Sequence, residues 1–176
     1  MTRLPCRTIL ALLAVAVLGA AAPGHAQGVR AGSDTSLPVP RFVSLKSDAV
    51  NVRRGPSRDH EVVWRYVRAG LPVEVTQEFE NWRRIRDYEG AEGWVFHSLL
   101  SGTRTALVAP WDKSGKTFEL HAEPDAAARV TAFAEAGVQA RVPECRDGWC
   151  NLEGQGFGGW IEQGTLWGVY PDESFD

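Results

Sequence analysis

Two stretches of the 176-residue chain repeat each other about 67 positions apart. The first runs Asp48-Ala-Val-Asn-Val-Arg-Arg-Gly-Pro56, then Ala69-Gly70, Asn81-Trp82 and Gly93-Trp94-Val95. The second runs Lys116-Thr-Phe-Glu-Leu-His-Ala-Glu-Pro124, then Ala136-Gly137, Gly148-Trp149 and Gly159-Trp160-Ile161. Each copy of such a repeat has to be a complete supersecondary unit, so the repeat restricts the architecture more than local propensities do. It divides the chain into a first domain over 41–102, a second over 103–170 and a tail over 171–176.

Both copies read as strands. In the first, extended runs fall at 41–46, 49–53, 62–67, 73–78, 82–86 and 93–96, separated by turns at Gly55-Pro56, Gly70, Glu80-Asn81 and Glu89-Gly90. In the second they fall at 104–109, 117–121, 129–134, 138–143, 149–152 and 159–162. Short strands at this regular spacing are the pattern of a small barrel or sandwich. The Ala-rich stretch 126–136 admits a short helix; alignment with the first copy makes it a strand.

Residues 1–26 stand apart from the repeat. Arg3 and Arg7 precede an apolar run over 9–18, and Gly24-His25-Ala26 offers small residues around a cleavage point. This reads as a secretory signal peptide. A membrane anchor is the rival, but it needs roughly 20 apolar residues. The expectation is therefore an exported chain, periplasmic in a Gram-negative cell or secreted, with no membrane span after cleavage. Residues 27–40, rich in Gly, Ser and Pro, read as a disordered lead-in.

Cleavage would leave two cysteines, Cys145 and Cys150, on either side of Arg-Asp-Gly-Trp. In an oxidising compartment an even pair favours a disulfide. Metal binding is the alternative, yet His60, His97 and His121 stand singly, without ligand spacing, and nothing implies a metal or other cofactor. Closing so short a loop contributes only about 2 kcal/mol. Aligned on Trp82 and Trp149, the two cysteines fall on Glu78 and Arg83. Those two side chains are expected to face each other across a hairpin, one domain carrying an ion pair where the other carries a disulfide.

Val50-Asn51-Val52-Arg53 with Gly55-Pro56, Gly70, Trp82 after a turn, and Gly93-Trp94-Val95 together resemble the bacterial SH3 (SH3b-like) domain family. The resemblance implies an all-β fold of two tandem SH3-like small β-barrels in a small exported protein. The second copy diverges: Glu119 replaces the Asn, His121 the Arg and Glu123 the Gly. Because glycine adopts positive φ freely, its loss is expected to change that loop's backbone.

Charge is split unevenly. Residues 41–102 hold nine Arg, one Lys and nine acids, whereas 103–176 hold six basic and 12 acidic residues. The arginines of the first domain are either solvated and balanced by nearby acids, or they meet an anionic partner through bidentate contacts. Nucleic acid does not suit an exported, acidic chain. Trp64, Tyr66 and Trp82 are candidates for an aromatic shelf, since SH3-like domains hold extended peptides on aromatic-lined grooves. Alternation in Trp149-Cys150-Asn151-Leu152 turns Trp149, and with it Trp82, outward. Trp94 and Trp160 are expected to cover the cores, while Trp111, Trp167 and Tyr170 have no repeat partners and are candidates for an interface between the domains.

The candidate ligand-binding residues are Trp82, Tyr66, Trp64, Arg53, Arg84 and Trp149. There are no catalytic candidates: no acid–base pair, phosphate loop or Ser/His/Asp signature appears, and both remaining cysteines are committed to the hairpin. The resemblance implies a non-enzymatic binding module recognising a peptidoglycan fragment or an extended envelope peptide. Its rival is a scaffold subunit docked on another envelope protein. The first domain is the expected binder and the second its stapled support.

Overall fold

In the computed structural model the described residues are 30–176; the signal-peptide reading of 1–26 lies outside them. The lead-in is not disordered over its described part. Strand β1 (Arg30–Ala31) pairs antiparallel with β2 (Pro38–Val39). The hairpin is held by the Glu78 carboxylate, which accepts from the amides of Asp34 and Thr35, both at 3.1 Å, and from Thr35 Oγ1 at 2.7 Å. Composition alone misses this, because the hairpin's partner lies more than 40 residues away.

The first domain comprises β3 (Arg41–Leu45), β4 (Val50–Arg53), β5 (Val62–Tyr66), β6 (Pro72–Phe79), β7 (Trp82–Arg86), β8 (Glu92–Phe96) and β9 (Leu100–Ser101). The second comprises β10 (Thr105–Val108), β11 (Thr117–His121), β12 (Val130–Glu135), β13 (Gln139–Arg146), β14 (Trp149–Glu153), β15 (Gly158–Glu162) and β16 (Leu166–Trp167). A single 3₁₀ turn precedes the last strand of each. The seven-stranded sheets have the orders β5-β4-β8-β7-β6-β3-β9 and β12-β11-β15-β14-β13-β10-β16. Each strand of the second sheet therefore sits where its repeat equivalent sits in the first. Residues 126–136 follow the strand reading: β12 occupies 130–135.

Period-two alternation builds each core. Val50, Val52, Val73, Val75, Ile85 and Val95 are essentially fully buried in the first domain. Val108, Leu120, Val142, Cys145, Cys150 and Leu152 fill the same role in the second. Burying each such Val, Ile or Leu side chain contributes roughly 1.5–3 kcal/mol. The two clusters are separate, so each domain has its own core.

The paired hairpin positions are in register in both domains, with Glu78 opposite Arg83 and Cys145 opposite Cys150. Cys145 and Cys150 form the disulfide. Arg83 Nε lies 3.3 Å from Glu78 Oε1, and both side chains are almost fully buried. The second hairpin turns through Asp147 and Gly148, both at positive φ, as a two-residue type I′ turn requires.

The divergent loop holds a correction. Gly55 is not at positive φ; it is needed for space, because a Cβ there would come within 2.5 Å of the His60 imidazole. In the second domain Ala128 stands where His60 stands in the first, so Glu123 meets no such obstacle.

The domains pack through aromatic side chains. Phe42 stacks edge-on against Trp167 at 5.1 Å and lies 4.7 Å from Tyr170. Tyr170 donates to Glu74 Oε1 at 2.9 Å, Trp167 Nε1 to the Pro72 carbonyl at 3.1 Å, and Thr105 Oγ1 to the Gly70 carbonyl at 2.7 Å. Trp111 takes no part; it is 54% exposed.

Candidate functional site

The same alternation that buries Val50, Val52, Ile85 and Val95 turns their neighbours to the opposite face. Asn51 and Arg53 on β4, Trp82 and Arg84 on β7, and Trp94 and Phe96 on β8 share this outer face. With Arg58, Ser98 and Leu99, the residues Asn51, Arg53, Trp82 and Phe96 line a cavity of about 450 Å³. Trp82 packs edge-on against its cross-strand partner Phe96 at 5.4 Å. Arg53 Nη1 donates to the carbonyls of Arg58 at 2.9 Å and His60 at 2.6 Å, bracing the loop that carries Arg58. The Arg58 guanidinium lies 5.8 Å from the centre of the Phe96 ring. It has no acidic partner among the described residues.

The second domain has a groove at the equivalent place, a cavity of about 380 Å³ whose lining includes Glu119, His121, Ala126, Trp149, Glu162 and Thr165. Position by position, Glu119 stands for Asn51, His121 for Arg53, Ala126 for Arg58, Trp149 for Trp82, Glu162 for Phe96 and Thr165 for Leu99. Even the loop brace is kept: His121 Nδ1 lies 3.0 Å from the Ala128 carbonyl, the counterpart of His60. One groove is thus lined by arginines and the other by carboxylates.

The structure brings Arg53 and Trp82 together, and places Trp149 in the second groove. It separates the other candidates. Trp64 and Tyr66 pair across from Val52 and Val50, so they share the core face and pack against the first core; the shelf of Trp64, Tyr66 and Trp82 does not exist. Tyr66 donates to Asp87 Oδ2 at 2.8 Å, and burial, together with that carboxylate, pushes its hydroxyl well above the ordinary tyrosine value. Arg84 is on the outer face but is paired with Glu92 at 2.6 Å, outside the groove. Trp82 is only 8% exposed, because Phe96 covers it, so it presents an edge and not a surface.

Trp94 and Trp160 also depart from expectation. They alternate with Val95 and Ile161, which face the cores, and therefore lie on the outer face. Trp160 is buried there with the Arg146 guanidinium 4.7 Å from its ring centre. Arg58, Phe96 and Ser98 were not singled out from the sequence as site residues. The available signal was Phe96 lying two residues after Trp94, hence on the same face, and Arg58 in the loop that Gly55-Pro56 opens.

A larger cleft of about 560 Å³ lies between the domains and the β1–β2 hairpin, lined by Pro40, Phe42, Leu100, Arg104 and Tyr170 among others. Its arginines are already committed, Arg104 to Glu173 at 2.7 Å and Arg41 to Glu78 at 2.8 Å. Among the described residues no group of three His, Cys, Asp or Glu side chains is arranged to hold a metal ion. Nor is any helix among them long and apolar enough to cross a membrane.

Among curated proteins, none is similar in sequence to this chain. The solved structures of NlpC2 and NlpC1 from Trichomonas vaginalis are similar to it, each at 14% identity and a TM-score of 0.32, over 73% and 77% of the chain respectively. The chain spans about half the length of these relatives, covering 48% of each. The model of the bacterial SH3 domain matches twice, over residues 46–102 and 114–168, each match covering most of one of the seven-stranded sheets. Two matches that together span more than half of the residues, one on each copy of the repeat, mean that the chain belongs to the bacterial SH3 domain family.

Proposed function

We propose that the protein is a non-enzymatic, exported binding module of two SH3-like barrels, and that the groove of the first domain recognises a carboxylate-bearing peptide such as a cell-wall stem peptide. The observation that carries this reading is the pairing of an acid-free Arg58 guanidinium with the Trp82–Phe96 wall in one groove. An arginine over an aromatic wall offers a planar donor fork beside an apolar surface, which suits a carboxylate on a short aliphatic stem.

Sedimentation with purified peptidoglycan tests it. The wild type is expected to pellet with the wall, and Arg58→Glu to stay in the supernatant. Arg58 is exposed, so this substitution reverses the groove's charge without opening a core, whereas Trp82→Ala would remove a buried ring. If the wild type does not pellet, the cell-wall reading fails.

A second reading, a scaffold subunit docked on another envelope protein, draws support from the Phe42–Trp167–Tyr170 packing, which joins the domains into one unit. It predicts that wall fragments leave the groove signals unmoved while an envelope extract yields a stable complex.

A further inference from the structure

We propose that the groove of the second domain is a separate site for a primary ammonium group carried on a peptide-like chain. The choice of a peptide-like carrier rests on the binding-module reading of the first groove; the ammonium specificity does not. It begins with His121, whose side chain is 8% exposed. Its Nδ1 lies 3.0 Å from the Ala128 carbonyl. A carbonyl only accepts, so in the neutral ring the proton sits on Nδ1 and Nε2 keeps its lone pair. The closest charged neighbour of Nε2 is Glu119 Oε2, at 3.8 Å, beyond hydrogen-bond distance. A mostly buried side chain therefore presents a nitrogen acceptor with no protein donor to a groove that Glu119 also lines.

Glu162 lines the same groove and has no cationic partner among the described residues. Lys116 also lines the groove, but its ammonium is held by Asp112 at 3.0 Å and lies over the Phe118 ring at 5.0 Å. One nitrogen lone pair and two carboxylates make a set of acceptors with no cationic protein donor within hydrogen-bond distance among the described residues. An ammonium carries three donors and no acceptor. The Trp149 ring on the same wall, 5.5 Å from His121, adds a π face that attracts cations. The domain's excess of acids, 12 against six basic residues over 103–176, draws cations toward it.

NMR titration of the purified protein with Nα-acetyl-lysine methylamide, against Nα-acetyl-norleucine methylamide, which keeps the four-carbon stem and lacks the ammonium, decides the matter. The lysine derivative is expected to shift the Trp149 indole N–H and the His121 ring signals, and the norleucine derivative to leave them in place. Glu119→Gln combined with Glu162→Gln, both at exposed positions, should weaken binding at least tenfold, while Glu153→Gln, a surface carboxylate outside the groove, should not. The proposal falls if lysine moves neither residue, if norleucine moves them equally, or if Glu153→Gln weakens binding as much as the groove pair. Peptidoglycan sedimentation reads the first groove and this titration the second. Loss of one signal with the other intact shows which of the two readings has failed.

Discussion

The hairpin of β6 and β7 and the hairpin of β13 and β14 occupy the same place in two copies of one fold, yet different chemistry holds them. In the second domain Cys145 and Cys150 are bonded across the ladder, and the backbone of Cys145 exchanges hydrogen bonds with Phe175 at 2.9 and 3.0 Å. In the first domain Glu78 and Arg83 take those positions, and the Glu78 carboxylate is shared with Arg41 and with the β1–β2 hairpin. A segment before the first domain therefore secures one hairpin, and a segment after the second domain secures the other. The difference lies in self-sufficiency. A covalent bond needs no outside partner, whereas a buried carboxylate is tolerated only where enough donors surround it. The residues around Thr35 thereby become part of the first domain's fold.

The strongest way to break this comparison is Glu78→Ala. It leaves two arginine side chains without their carboxylate and frees the β1–β2 hairpin. A buried pair opened in this way costs about 3–5 kcal/mol. Urea denaturation followed by indole signals from each domain should show the first domain unfolding at lower denaturant and the second barely moved. Equal shifts in both would mean that the hairpin acts through the domain interface and not through the first domain.

Acid sharpens the same contrast. Desolvation pushes the Glu78 carboxyl up, but the hydrogen bonds from Thr35, Arg41 and the amides of Asp34 and Thr35 outweigh it and hold the value at about 2, against an ordinary 4.5. A folded-state value below the unfolded one means that this stabilisation is fully present above pH 4.5 and is lost as the pH falls through about 2. The disulfide has no such dependence. Acid titration should accordingly weaken the Glu78 hairpin of the wild type, and Glu78→Gln should flatten that part of the first domain's profile.

Reducing the disulfide is the next smaller perturbation. The cysteines are five positions apart, and closing so short a loop contributes about 2 kcal/mol. Thermal melts of the Cys145→Ala/Cys150→Ala pair should lower the second domain's transition and leave the first domain's in place. A larger loss would show that the cysteines also matter as core filling, since both are buried beside Leu152.

The longer strands of both sheets and the register of Glu78 on Arg83 were legible in the sequence, because alternation shows within a few residues and the repeat shows on comparing the two copies. The aromatic placements were only half legible. Alternation put Trp149 outward through Cys150 and Leu152, but the same rule applied to Val95 and Ile161 would have turned Trp94 and Trp160 outward as well. What sequence did not carry was cover from other strands. Trp82 faces outward and is still buried, since Phe96 lies against it across the ladder. Nor did it carry the docking of residues 30–39 on Glu78, a contact spanning more than 40 positions with no periodicity to announce it. The two grooves fall between these cases: Trp82, Trp149 and Arg53 were visible as residue types, while Arg58 and His121 gained meaning only from the loop brace that both domains share.

The smallest expected effect tests whether the two loops diverged in step. Gly55 has a backbone open to any residue, and the obstacle to a side chain there is the His60 ring. His60 is exposed, so the ring can swing away, and Gly55→Ala alone should change stability by less than about 1 kcal/mol. With His60→Ala in addition, the loop has the small residue that the second domain carries as Ala128, and Arg53 still holds the backbone carbonyl of residue 60. The alanine at 55 is then freed of the His60 ring and restricts the unfolded chain, a gain of roughly 0.4–1 kcal/mol. A double-mutant cycle read by thermal melting should therefore show the two substitutions coupled, with the pair more stable than Gly55→Ala alone. Strict additivity would mean that the loss of glycine at Glu123 had nothing to do with the loss of histidine at Ala128.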